Sequence, residues 1–315
     1  MSIVSQNKII VGVDIAKDVH DVYLYPIGLA FRITNDDKGL KKLKKKLSHY
    51  DVKRVVYEAS GGYEHLLAKT LEDCHELWQV NPIRVRSFIE SKGIHVKTDA
   101  IDAEMIALFG AQMEPTYSRI RLSDKHELLN DLSRRRNSLV SSLVKEKNRL
   151  KHPKQVNTKE SIIRHIEFLE PEIERIDDEI GKLIKDNKDW SEIKAILDSV
   201  PGVGKVTSGL LIGSMPELGK VNEKAAAAIV GVAPFIRQSG SSRGTAAIKG
   251  GRSHIRTVLY MASVVAIRYN EKLKKFYERL KKEGKCFKVA IVAVMRKLIV
   301  MLNAMVASGK KWNAA

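Results

Sequence analysis

Cysteine is scarce in this chain, and long apolar runs are absent from it. Cys74 and Cys286 lie far apart and outside any metal-ligand spacing, which argues against both a disulfide framework and a zinc site. No run reaches the about 18 apolar residues of a membrane-spanning helix, because Arg296 and Lys297 interrupt the most apolar segment, residues 289–305. The polar N-terminus leads straight into an apolar run, unlike a signal peptide. We therefore expect a cytoplasmic protein.

Acidic residues are far outnumbered by basic ones. The 37 Asp and Glu against 55 Lys and Arg leave a formal net charge of +18. A surplus of this size indicates a polyanionic partner, of which nucleic acid is the commonest. The 315 residues are enough for two domains with sizeable cores. We expect a globular protein that binds nucleic acid.

The first hundred residues have the pattern of a sheet domain. Residues 9–15 form a short β-branched apolar run typical of a buried strand, interrupted by one acid, Asp14. Similar patterns predict three strands in an antiparallel meander, then helices that alternate with two more strands. The predicted strands are residues 9–15, 22–25, 31–34, 52–57 and 77–80, and the helices are 37–50 and 63–73. This order predicts a ribonuclease-H-like α/β fold.

Four acids fall where that fold would bring them together. Asp14 lies in the first strand, Glu58 ends the fourth, and Asp99 and Asp102 share one face of the following helix. Alone, the last pair is most simply explained by helix capping and the helix dipole. Carboxylates that converge from three elements suit Mg²⁺ in a two-metal phosphoryl-transfer site. Three nearby acids are interpreted as surface residues, with support of the four acids as the alternative role, namely Asp18, Glu64 and Glu104.

The middle of the chain predicts an antiparallel helical hairpin. A basic helix over residues 124–151 ends at Pro153, and the next helix carries a heptad seam over three repeats. Pro171 predicts a kink or a fresh start in that helix. The seam consists of Ile162, Ile166, Leu169, Ile173, Ile176, Ile180 and Leu183. It either packs within the chain or joins two copies, with its narrowness slightly favouring a dimer.

The last third contains two glycine-rich loops with several basic side chains and serines. Exposed amides and guanidinium groups suit a phosphodiester. The basic residues predicted to bind nucleic acid are Arg237, Arg243, Lys249, Arg252 and Arg256. A serine here either attacks phosphorus or only donates hydrogen bonds, and composition alone favours the second because no base is identified. Upstream, Pro201-Gly202-Val203-Gly204 weakly resembles a helix-hairpin-helix turn.

Several motifs together resemble the IS110 family of bacterial insertion-sequence transposases. The N-terminal ones are Gly12-Val13-Asp14, Glu58-Ala59-Ser60-Gly61-Gly62-Tyr63, Val80-Asn81-Pro82 and Lys97-Thr98-Asp99-Ala100-Ile101-Asp102-Ala103. The C-terminal ones are Ala233-Pro234, Ser239-Gly240, Gly244, Lys249-Gly250-Gly251-Arg252 and Leu259-Tyr260-Met261-Ala262. The N-terminal half of that family is similar to RuvC-type Holliday-junction resolvases.

The resemblance implies roles for particular residues. It assigns a DEDD tetrad to Asp14, Glu58, Asp99 and Asp102, the acids already singled out. It implies that Ser239 is the nucleophile, with Ser241 and Ser242 as alternatives. It also implies a structured non-coding RNA, a bridge RNA, that guides the enzyme on DNA.

We therefore predict a bacterial DNA recombinase with three parts. They are a RuvC-like α/β domain at residues 1–120, a coiled-coil hairpin at 121–190 and a mostly helical domain at 191–315. We expect a homo-oligomer, either a dimer or a tetramer of dimers. Two alternatives remain, a RuvC-like junction resolvase that uses water as nucleophile and a non-catalytic DNA-binding protein.

Overall fold

The computed structural model divides the chain into two compact units, Met1–Arg121 and Leu122–Ala315. It describes residues 8–93, 99–115, 123–152, 155–235, 238–239, 242–243 and 247–313, without the side chains of 99–100, 238–239 and 242–243. The hairpin predicted as a separate domain belongs to the second unit, together with the C-terminal helices.

The first unit is a mixed α/β structure, and the predicted strands and the two helices between them are confirmed. Its elements are β1 Ile9–Ile15, β2 Val19–Tyr25, β3 Leu29–Thr34, α1 Asp37–Leu47, β4 Val52–Glu58, α2 His65–Leu71, β5 Glu76–Val80, α3 Pro82–Ser91 and α4 Asp99–Gln112. The helix α3 was not predicted. Pro82 occupies its first turn, and the Asn81 side chain accepts a hydrogen bond from the Ile83 amide at 2.9 Å, which is a standard N-cap.

The strands form one sheet in the order β3-β2-β1-β4-β5. β2 is antiparallel to both β1 and β3, whereas β1, β4 and β5 are parallel neighbours. It follows that β1, β3, β4 and β5 all end at the same edge of the sheet. We call this the carboxyl edge.

Helices cover both faces of the sheet. On one face, Leu40, Leu43 and Leu47 of α1 and residues of α2 pack on Val11 and Val55. On the other, residues of α3 and α4 pack on the alternate strand positions, including Ile10 and Val56. This division follows from the two-residue period of a strand, which sends neighbouring side chains to opposite faces.

The second unit is mostly helical. Its elements are α5 Asp124–Leu150, α6 Val156–Lys185, α7 Lys188–Asp198, α8 Lys205–Ser214, α9 Glu223–Val230, β6 Pro234–Phe235, β7 Gln238–Ser239, β8 Ser242–Arg243, β9 Ala247–Ile248, α10 Ser253–Tyr269, α11 Glu271–Lys282 and α12 Phe287–Ser308. By length and composition α12 could cross a membrane, but half of its most apolar window is buried inside this unit.

The heptad seam of α6 is covered within the chain. Ile173, Ile176 and Ile180 are buried in one apolar cluster with Leu129 and Leu139 of α5. The helix runs through Pro171 as one element, so the proline neither ends it nor starts a new one. Among the two alternatives for the seam, the structure favours internal packing.

Replacing Ile173 and Ile180 by Ala is expected to destabilise the second unit by about 2–5 kcal/mol per site, because each change leaves a cavity. The wild-type side chains are only 8% and 6% exposed. Denaturant unfolding at two protein concentrations checks this, with Phe168→Ala as the control, since Phe168 on the same helix is 63% exposed. A loss of oligomer without a loss of stability would return the seam to an intermolecular role.

Candidate active site

Two of the predicted acids lie side by side at the carboxyl edge. In the parallel pair of β1 and β4, Val13 is opposite Tyr57, and Asp14 and Glu58 are the next residues of the two strands. Asp14 shares a face with Ile10 and Gly12, and Glu58 shares a face with Val56, because side chains alternate along a strand. Both acids therefore belong to the face covered by α4, and both are partly exposed.

The helix α4 lies directly on the backbone of β1. A Cβ atom placed on Gly12 would come within 2.2 Å of the Ala103 carbonyl oxygen and 2.4 Å of the Ala107 amide nitrogen. Farther along the helix, a Cβ atom on Gly110 would lie 2.4 Å from Val56 and 3.0 Å from Ile10. The helix thus starts at the carboxyl edge and runs back along the strands.

This crossing places Asp102 near the two strand acids. Asp102 precedes Ala103, which contacts Gly12, and Asp14 is two residues beyond Gly12 toward the same edge. Tyr23, the β2 partner of Gly12, donates a hydrogen bond to Glu104 Oε1 at 3.2 Å. Glu104 therefore serves as an anchor between α4 and the sheet, although it was interpreted as a surface residue.

The structure brings three tetrad positions to one edge but does not gather their side chains into a ligand cluster. Asp99 begins α4, and its side chain is outside the described residues. Among the described residues, no group of three carboxylate, His or Cys side chains is close enough to hold a metal ion. The positive end of the α4 dipole points to this edge, which favours negative charge there.

Glu64, first interpreted as a surface residue, instead supports the loop after Glu58. This carboxylate is buried, and it accepts hydrogen bonds from the Gly62 amide at 2.8 Å, the Ser60 hydroxyl at 2.8 Å and the Gln79 side chain at 2.9 Å. Burial alone would raise the pKa of Glu64, but the hydrogen bonds outweigh it and lower the pKa. An ionised Glu64 thus fixes the loop that follows Glu58. The glycines at 61 and 62 indicate a turn but do not identify its anchor.

Replacing Gly12 by Ala is expected to destabilise the first unit by about 1–3 kcal/mol, because the added methyl group overpacks the contact with α4. It should also impair DNA cleavage, since α4 must move away from β1. Thermal unfolding and a cleavage assay check both effects. The control is Gly181→Ala, a helix position whose Cβ would meet no atom within 4 Å, where stability should rise. An unaffected Gly12→Ala protein would contradict this account of the contact.

In the second unit, Ser239 lies in a hairpin of two short antiparallel strands. β7 pairs with β8, and Ser239 is directly opposite Ser242. A second short pair, β6 with β9, joins Pro234 to Ile248 and brackets this hairpin. The Ser239 and Arg243 side chains, and Arg237 and Ser241 altogether, lie outside the described residues. Their predicted roles stay predictions.

Arg252 and Arg256, two of the residues predicted to contact nucleic acid, form hydrogen bonds within the second unit, next to the glycine-rich segment. The Arg252 guanidinium donates to both carboxylate oxygens of Glu217, at 2.6 and 2.7 Å, and to the Ser214 carbonyl oxygen at 2.8 Å. Arg256 Nη1 donates to the Gly250 carbonyl oxygen at 2.6 Å. Lys249 is exposed. Arg252 and Arg256 therefore support the loop structure, and their contact with nucleic acid stays a prediction.

Two family models match this chain. The DEDD transposase model of IS110 elements matches residues 11–153, which contain all four predicted acids. The model of the IS116/IS110/IS902 transposase family matches residues 194–278, which contain Ser239 and the five basic loop residues. The hairpin helix α6 falls between the two matched regions.

Two curated relatives match over nearly the whole chain, and a third matches part of it. The pilin gene-inverting protein of Moraxella bovis is 28% identical over 319 aligned positions, covering 98% of each chain. That of Moraxella lacunata gives the same figures. A 43.6 kDa protein of insertion element IS110 from Streptomyces coelicolor is 28% identical over 120 positions, covering 37% of this chain and 29% of its own.

These matches define a transposase, an enzyme that cleaves and rejoins DNA. More particularly, the chain belongs to the IS110 family, and the resemblance seen in its motifs is confirmed. A purely DNA-binding role without catalysis is therefore wrong for it.

Proposed function

We propose that this transposase breaks a DNA strand with the DEDD acids of its first unit and Ser239 of its second. The observation that carries the proposal is the position of Asp14, Glu58 and Asp102, which come from three elements to one edge and one face of the sheet. The strand order and the crossing helix support a ribonuclease-H-like, RuvC-related identity for this unit. The family suggests a divalent metal.

The donor set fits Mg²⁺. Carboxylate oxygens are the ligands that this hard cation prefers. Three of the four acids lie at the same edge of the sheet. Asp14, Glu58 and Asp102, joined by Asp99, would hold the ion. When bound, Mg²⁺ neutralises negative charge on a phosphate group and stabilises a departing oxygen.

The remaining chemistry falls to the second unit. In the proposed step the Ser239 hydroxyl oxygen bonds to phosphorus while a phosphorus–oxygen bond to a deoxyribose breaks. The serine loses its proton, and the departing sugar oxygen gains one. Placement of Ser239 in a two-residue strand of a hairpin, beside a basic loop, supports this role. A covalent intermediate keeps the bond energy for rejoining.

The outcome of this chemistry is movement or inversion of a DNA segment in the bacterial cytoplasm. Full-length likeness to two pilin gene-inverting proteins favours inversion as a second outcome beside transposition. Family membership supports a bridge RNA as guide, and the net charge of +18 is compatible with one. We also propose a homo-oligomer, since joining two DNA ends needs more than one active site.

The proposal is tested by DNA cleavage with purified protein and its copurifying RNA, on a plasmid that carries the DNA flanking the gene in its host. Cleavage should require Mg²⁺, stop in EDTA and leave protein covalently attached to DNA. Free phosphate ends without an adduct would instead support the water-using resolvase. Sequencing the copurifying RNA tests the guide, and a preparation that cleaves without RNA would exclude it.

A further inference from the structure

The outer face of α1 carries a row of lysines that plays no part in the fold. Leu40, Leu43 and Leu47 make up the buried side of this helix. The opposite side is exposed and carries four lysines at helical spacing, which we call the α1 lysine face. They are Lys38, Lys41, Lys42 and Lys45. Steps of three, four and seven residues place them on one surface.

These charges are concentrated and largely unneutralised. Together with Asp37 the four lysines line an open depression of about 450 Å³. None of them forms an ion pair with a residue in the described ranges, although Asp36 attracts Lys38. The Asp36 carboxylate is already used as the helix cap, since it accepts a hydrogen bond from the Gly39 amide at 2.6 Å.

Other basic helices of the chain behave differently. On α11, Lys275 pairs with Glu271 and Arg279 with Glu283. On α5, Arg136 forms a bidentate ion pair with Asp177 of α6. Both of these helices thus have basic side chains paired with acids, whereas the four lysines of the α1 lysine face have no such partner in the described ranges.

The lysine face starts at the same edge as the acids. β3 runs parallel to β1, so α1, which follows β3, begins at the carboxyl edge. The Asn35 side chain, just before α1, donates to the carbonyl oxygens of Lys17 at 3.1 Å and Tyr63 at 3.2 Å. The start of the lysine face is thereby tied to the turn after β1 and to the loop after Glu58.

We propose that the α1 lysine face, which lies on the other side of the sheet from α4 and the acids, binds the sugar-phosphate backbone of duplex DNA that passes the carboxyl edge. This inference rests on the proposed function for its DNA substrate. Ammonium groups neutralise phosphates without reading sequence. The face contains no aromatic residue, whereas single-stranded nucleic acid is usually held by aromatic stacking. Lys38 to Lys45 span about 10 Å along the helix axis, roughly three phosphates of one DNA strand.

The test is the salt dependence of DNA binding when all four lysines are changed to Gln, which keeps helix propensity. The probe is a non-cognate DNA duplex. Relative to wild type, the negative slope of log affinity against log salt should become shallower by about 2–4. The affinity of the variant should be roughly tenfold or more lower near 0.1 M salt. Changing the four lysines to Arg should keep both values, because the charges are retained.

A matched control removes the same number of charges from α11 through Lys274→Gln, Lys275→Gln, Lys281→Gln and Lys282→Gln. Thermal unfolding must show that all variants fold. If the α1 variant lost no more DNA affinity than this control, the proposal would be overturned. A loss confined to an RNA duplex or to single-stranded DNA would overturn it too.

The acid variant Asp14→Asn separates this inference from the proposed function. Measured in EDTA, it should keep the wild-type salt slope, since it removes no basic side chain. If the lysine variant has a shallower salt slope but Asp14→Asn still cleaves DNA, the role of the lysine face is supported and that of the acid site is refuted. If Asp14→Asn is inactive and the lysine variant binds like wild type, the reverse holds.

Discussion

Asp14→Asn protein is expected to lose DNA cleavage by at least about a hundredfold while the first unit stays folded. In the proposed site Asp14 is a metal ligand, and its loss would remove several kcal/mol of charge stabilisation at the phosphate. Each 1.4 kcal/mol is a factor of ten in rate. Stability should hold or rise, because one of several neighbouring negative charges is gone. Cleavage rates in Mg²⁺ and thermal unfolding measure the two effects.

Asp102→Asn should behave in the same way, since Asp102 reaches the same edge from α4. The matched control is Asp18→Asn, an exposed acid in the turn after β1, which should cleave at the wild-type rate. Wild-type cleavage by either tetrad variant would show that the acids at this edge do not form the catalytic site.

Ser239→Ala protein is expected to lose both recombination and the covalent protein–DNA adduct, yet to bind DNA within about twofold of wild type. The attacking oxygen is absent, whereas phosphate contacts come mostly from basic side chains and backbone amides. Gel-based detection of the adduct and a binding titration on the same preparation separate the two properties.

Ser241→Ala and Ser242→Ala are the matched controls, because both serines lie within three positions of Ser239 in the sequence. Each should keep the adduct. An adduct that persists in Ser239→Ala and disappears in one control would transfer the nucleophile to that serine. If all three variants were fully active, the serine mechanism would fail and the water-using resolvase would remain.

The sheet of the first unit could be predicted because its signals are local. The β-branched run of β1 and the leucines of α1 repeat at the periods of a strand and a helix, and the structure has both elements. The helix α3 was missed because Ile83, Val85 and their basic neighbours alternate as in a strand. Its true signal was the Asn81-Pro82 pair, a cap followed by a first-turn proline.

Other features depend on partners distant in sequence. The charge of Arg252 indicated nucleic acid, but no local pattern reveals that Glu217, 35 positions earlier, receives its guanidinium. In the sequence Glu64 resembles any acid near a turn, and only the folded loop shows that amide and hydroxyl groups donate hydrogen bonds to it. The seam of α6 has one periodicity whether its partner is α5 or a second copy, so only tertiary packing could decide.

The contact between Gly12 and α4 holds β1 and α4, which both carry predicted acids, in a fixed position relative to each other. With no side chain between strand backbone and helix backbone, there is no soft layer of rotamers to absorb a relative shift. The distance between the start of α4 and the end of β1 is then governed by peptide geometry rather than by side-chain packing. Substitutions in the apolar cluster on the α1 face can weaken the unit as a whole, but they leave the spacing of Asp14 and Asp102 intact until the unit unfolds.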